Sequence, residues 1–96
     1  MKRHNDQIIG DILKEWANRK RFKSKINQVK IKEMWAELMG ASVAKHTLDI
    51  ALRQNKLFIE LDSSPLRQEL SYGKEKIIKI LNEAIGEALI EKVIIR

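Results

Sequence analysis

The sequence predicts an α+β fold of two layers, a three-stranded sheet with helices on one face, in the order α-α-β-β-α-β. Three observations carry that prediction. Apolar residues recur at helical spacing up to Gly40. The period then switches to two between Thr47 and Asp62. Finally, an amphipathic stretch opened by Ser64-Pro65 leads into a β-branched run, Val93-Ile94-Ile95. With 96 residues there is room for one domain, spanning 1–96.

Asn5 or Asp6 is placed to cap a first helix, and Asp11 suits its early turns. Ile8, Ile9, Ile12, Leu13 and Trp16 then fall on one helical face, and the helix is expected to fray near Asn18. Arg19-Lys-Arg-Phe-Lys-Ser-Lys25 reads as a cationic connector. A second helix is expected from about Ile26 to Met39, with Ile31, Met34, Trp35, Leu38 and Met39 inward and Gly40 as its stop. Val43 and Ala44 suit one more short turn.

Leu48, Ile50 and Leu52, and then Leu57, Ile59 and Leu61, alternate with mostly polar neighbours around Gln54-Asn55-Lys56. This is the pattern of a β-hairpin with one buried face, with Asn55 taking the positive φ of its turn. Ser64 as N-cap and Pro65 at the first helical position start a third helix. It should run to about Ile85, with a possible kink at Gly73 and a stop at Gly86. The last strand should lie parallel to the second, because a strand-helix-strand crossover returns in the same direction.

Composition narrows the function. There is no cysteine, which excludes disulfides, thiolate metal sites and a cysteine nucleophile, and favours a reducing cytoplasm as the location. The opening residues are polar, without the apolar run of a signal peptide, and no stretch suits a membrane span. His4 and His46 have no Ser, Cys or second His at a useful spacing, and Glu33 with Glu37 reads as an ordinary helix surface. No glycine loop could cradle a phosphate. No catalysis, metal, cofactor or small-molecule substrate is therefore expected.

The charge is unevenly distributed. Residues 1–32 hold ten Lys/Arg against three acids, +7, whereas residues 33–96 hold nine against ten, −1. Such a split points to a polyanionic partner, nucleic acid before an anionic membrane surface. The candidate contacts are Lys14, Arg19, Lys20, Arg21, Lys23, Lys25, Lys30 and Lys32, with Phe22 among them to stack on an unpaired base. The plainer alternative is a solvated connector whose Phe22 packs on the core. Trp16 and Trp35 lie on apolar helix faces and are both expected in the core. Lysines outnumber arginines in the whole chain and no base-reading helix is evident, so little sequence preference is expected.

Several strings, in order, resemble the DciA-like family of bacterial proteins. They are Trp35-Ala-Glu-Leu-Met-Gly40, Ser42-Val-Ala-Lys-His-Thr47, Leu57-Phe-Ile-Glu-Leu-Asp-Ser-Ser64, Leu66-Arg-Gln-Glu-Leu70, Leu81-Asn-Glu-Ala-Ile-Gly86 and Ile94-Ile95-Arg96. The resemblance covers roughly residues 8–96. It implies a KH-like domain that binds nucleic acid and helps load or operate the replicative DNA helicase, in a family whose members often carry a C-terminal extension. Glycines 10, 40, 73 and 86 form no GXXG loop, so the standard KH groove is not implied. With that resemblance, Arg67 and Gln68 on the third helix become candidates for a helicase contact; their plainer reading is an exposed helix face. The expected partners are single-stranded or forked DNA and a helicase. The alternatives are an RNA-binding module, ribosome- or decay-associated, and a protein-interaction adaptor.

Overall fold

The computed structural model describes residues 5–96, with side chains from residue 7 onward. His4 and the capping side chains of Asn5 and Asp6 lie outside the described residues. The first element is one helix, α1 (Asn5–Met39), of 35 residues. The connector expected at 19–25 is therefore helical, and the two expected helices are one. The reason is local. No Gly or Pro stands between Gly10 and Gly40, and Arg and Lys are among the better helix formers. A run of like charge repels itself, but it does not remove a backbone hydrogen bond.

A straight α1 is longer than the sheet it covers, and the molecule extends 62 Å along its longest axis. The C-terminal half of α1 packs on the sheet through Ile31 and Trp35, with Leu38 and Met39 beside them. The N-terminal half projects beyond the core. Ile8, Ile9, Ile12 and Leu13 are exposed, and so is Trp16 at 59%. The expectation that Trp16 is a core residue is thus overturned, because its face has no layer to meet. Trp35 is buried as expected, at 3%.

Gly40, at φ 94°, ends α1, and a short α2 (Ala41–Lys45) follows. Strands β1 (Thr47–Arg53) and β2 (Lys56–Leu61) form the antiparallel hairpin. Its two-residue loop places the positive φ, 57°, at Gln54 rather than Asn55. The carbonyl of Asn55 instead accepts the backbone N–H groups of Glu91 and Lys92, at 2.9 and 3.3 Å, and holds the approach to the third strand. Leu48, expected on the buried face, is exposed. The register shifts between Thr47 and Asp49, which turns Leu48 outward. Thr47 faces α1 in its place: its Oγ1 accepts the Trp35 Nε1–H at 2.9 Å and donates to the Val43 carbonyl at 2.7 Å.

Helix α3 (Ser64–Ser71) begins one residue earlier than expected. Ser63 is the N-cap, accepting the Leu66 N–H at 3.4 Å, and Ser64 and Pro65 occupy the first helical positions. Gly73 does more than kink the helix. The chain breaks at Tyr72-Gly73 and restarts as α4 (Lys74–Ile85), giving four helices among the described residues where three were expected. Gly86, at φ 92°, closes α4, a conformation that costs glycine little. Strand β3 (Lys92–Ile95) pairs parallel with β2, so the sheet order is β1-β2-β3. Leu57, Ile59, Leu81 and Val93 are the most deeply buried side chains between sheet and helices, with Ile31.

Candidate nucleic-acid interface

All nine residues expected to meet nucleic acid lie on α1, and all are exposed. A helix advances about 100° per residue, so they cannot share one line. Lys14, Arg21, Lys25 and Lys32 follow at i, i+7, i+11 and i+18, along one side. Arg19, Lys23 and Lys30 fall on nearly the opposite side. The cations therefore sleeve the helix, and the flat positive face that charge counting suggests does not form.

A groove gathers part of that sleeve. It has a volume of about 1110 Å³ and runs between the middle of α1 and the outer edge and tip of the hairpin. Arg19, Lys20, Arg21, Lys23 and Lys25 line it from α1, and Arg53, at the end of β1, adds a sixth cation from the sheet. Lys14, Phe22, Lys30 and Lys32 stand outside the groove. Arg53 is not a candidate from the sequence, since only the crossing of α1 over β1 brings it near residues 19–25.

The groove is positioned by α1 side chains that bind the β1 backbone. Gln28 Oε1 accepts the Leu52 N–H at 2.8 Å, and Ser24 Oγ donates to the Leu52 carbonyl at 3.3 Å. At one end stands the exposed indole of Trp16, with Lys20 Nζ 5.1 Å from its ring centroid. At the base lies Asn27, 5% exposed, whose Nδ2 has no hydrogen-bond partner among the described residues. Neither Trp16 nor Asn27 is expected from the sequence to line a site. The helical spacing of the indole is that of a buried stripe, which hides its exposure.

Three of the cations have surface carboxylates nearby. Arg19 pairs with Glu15 at 3.5 Å, Lys23 with Glu87 at 3.6 Å and Lys32 with Asp49 at 3.5 Å. Each pair is well exposed, and such pairs contribute about 0–1 kcal/mol, so a phosphate can displace the carboxylate. Lys20, Arg21 and Lys25 have no carboxylate partner among the described residues.

The other candidates lie elsewhere. Arg67 is occupied within the protein, donating to the Leu61 carbonyl at 2.6 Å and to Ser64 Oγ at 2.7 Å, which ties α3 to the end of β2. Gln68 is exposed and donates to the Tyr72 hydroxyl at 3.2 Å. His46 Nδ1 lies 2.8 Å from Asp62 Oδ1, joining the end of α2 to the end of β2. No group of three or more His, Cys, Asp or Glu that could hold a metal ion occurs among the described residues. No helix there is long and apolar enough to cross a membrane.

Residues 8–95 match the family model described as "Dna[CI] antecedent, DciA". The chain belongs to the DciA family. This DciA-family chain is also 28% identical over 84 residues to a UPF0232 protein of Corynebacterium glutamicum (strain R), covering 88% of this chain and 47% of that one. It thus spans about half the length of the curated relative it matches. No solved structure matches it.

Proposed function

We infer that this chain is a non-catalytic, nucleic-acid-binding accessory of DNA replication that helps load or operate the replicative DNA helicase. Membership of the DciA family supports the helicase role. The observation that carries the nucleic-acid role is the groove, where five cations of α1 and Arg53 flank an exposed indole. Phosphates along the cationic wall would release counterions, and an unpaired base would stack on Trp16, worth roughly 1–3 kcal/mol. Single-stranded or forked DNA presents both groups, as single-stranded RNA also does, and membership of a replication family favours DNA. The family resemblance implies a KH-like domain, but the proposed contact lies at the hairpin edge, since this chain has no GXXG loop. Arg67 serves the fold in this reading, and Gln68 with Tyr72 offers the exposed part of α3 to a helicase.

Titrating the protein with matched single-stranded DNA, duplex DNA and RNA across a salt series tests the proposal. Single-stranded DNA should bind most tightly. Neutralising Lys20, Arg21, Lys23 and Lys25 together to Gln should weaken binding and flatten the salt dependence by about 0.7 for each phosphate no longer neutralised. Unchanged binding removes the site. A preference for RNA of about tenfold or more, about 1.4 kcal/mol, turns the assignment to an RNA-binding module.

A further inference from the structure

Helix α1 carries a second pattern, on the side away from the sheet, that shares only Arg19 with the groove. Ile8 and Ile12 lie near its start, Phe22, Ile26 and Val29 lie further along, and all five are exposed. With Glu15 and Arg19 between them, these positions step by four and three residues alternately. That is the seam spacing of a coiled coil. The seam also points away from the protein's own core, because Ser24, Asn27 and Ile31 are the positions of this stretch that turn inward.

We propose that the exposed seam of α1 pairs with the same helix of a second copy, antiparallel, about a two-fold axis near Ala17. The sequence is self-complementary about that point. Ile8 meets Ile26 of the other copy, Ile12 meets Phe22, and Glu15 meets Arg19. The charged layers between Ile8 and Ile26 therefore pair opposite signs, and the apolar layers there meet apolar ones. Charge sets the direction. Residues 5–16 hold three acids and one lysine, whereas residues 17–32 hold seven cations and no acid. Antiparallel pairing lays the acidic end of one helix on the cationic stretch of the other, while parallel pairing would set like on like. The two cores then sit at opposite ends of the helix pair, clear of each other. On the groove side of the helix, Lys20 and Ser24 stay off the seam, and Arg19 is the one residue that the groove and the seam share.

Sedimentation equilibrium of the whole chain, without nucleic acid, tests this independently of the proposed function. The expected result is a reversible monomer–dimer equilibrium between micromolar and millimolar protein. Ile12→Asp and Phe22→Asp should each leave a monomer with unchanged far-UV circular dichroism of the core. Glu15→Arg should weaken the dimer about tenfold or more, and Glu15→Arg with Arg19→Glu together should restore it. The chain has no cysteine, so Asn18→Cys, beside the axis, should give a disulfide-linked dimer on mild oxidation, while Lys76→Cys on α4 should not. A chain that stays monomeric throughout, a dimer indifferent to Ile12→Asp, or a charge swap that fails to restore association overturns the proposal.

Discussion

Gln28 on α1 accepts the backbone N–H of Leu52 on β1 at 2.8 Å. Strand β1 is an edge of the sheet, and an edge leaves backbone groups open to pairing with another chain. With the bond from Ser24 to the Leu52 carbonyl, α1 occupies both backbone groups of one edge residue. The same two bonds tie the middle of α1 to the strand that forms the other wall of the groove.

Replacing Gln28 with Ala should therefore destabilise the fold by about 1–2 kcal/mol, since a part-buried N–H loses its acceptor. Chemical denaturation monitored by Trp35 fluorescence would measure it. A midpoint equal to that of the unaltered chain would show that the bond contributes nothing to stability.

The two tryptophans should respond oppositely. Trp35→Ala removes a buried ring and its bond to Thr47, and should cost about 3–5 kcal/mol. Trp16→Ala should change stability by no more than about 0.5 kcal/mol, as expected for an exposed side chain. Affinity for single-stranded DNA should fall with Trp16→Ala. A large loss of stability from Trp16→Ala would mean that the indole is covered.

Asn27 holds a buried donor with no partner among the described residues. Asn27→Leu should leave the free protein at least as stable, because it removes an unsatisfied polar group at similar volume. If the groove's occupant supplies the acceptor, the same substitution should weaken binding. Thermal denaturation beside a binding titration separates the two effects.

Arg53 enters the groove from the sheet, independently of the helix. Arg53→Gln should weaken DNA binding uniformly across sequences and lower the salt slope by about 0.7, the value for one phosphate of a single strand. An unchanged slope would exclude Arg53 from the interface.

The projecting half of α1 rests on little tertiary packing, so it should open without global unfolding. At protein concentrations that keep the chain monomeric, amide exchange at residues 8–22 should be much faster than at 31–39. Lys23→Pro should reduce helical circular dichroism while leaving the Trp35 unfolding transition cooperative. Equal protection along all of α1 would contradict this picture.

Much of the fold is legible in the chain because it is set by local chemistry. The alternation of Ile50, Leu52, Leu57 and Ile59, the Ser-Pro start of α3 and the Gly86 stop each act within a few residues. The departures share one origin. The run at 19–25 resembles a break because it is charged, but the absence of Gly and Pro is the stronger signal. Leu48 follows the period of two, and a register shift set by pairing with β2 then removes it from the core. Trp16 has the spacing of a buried stripe with nothing to bury against. In the candidate site, five of the nine α1 residues named from the chain line the groove, whereas Arg53 and Asn27 come to it only through the fold.

By itself, the sequence determined the classes of element and the cationic excess ahead of Glu33, since each depends on neighbours along the chain. Only the tertiary structure decided which apolar faces were covered and which cations shared a groove. Those outcomes depend on how far a straight 35-residue helix outruns a three-stranded sheet, a comparison of lengths between elements distant in sequence.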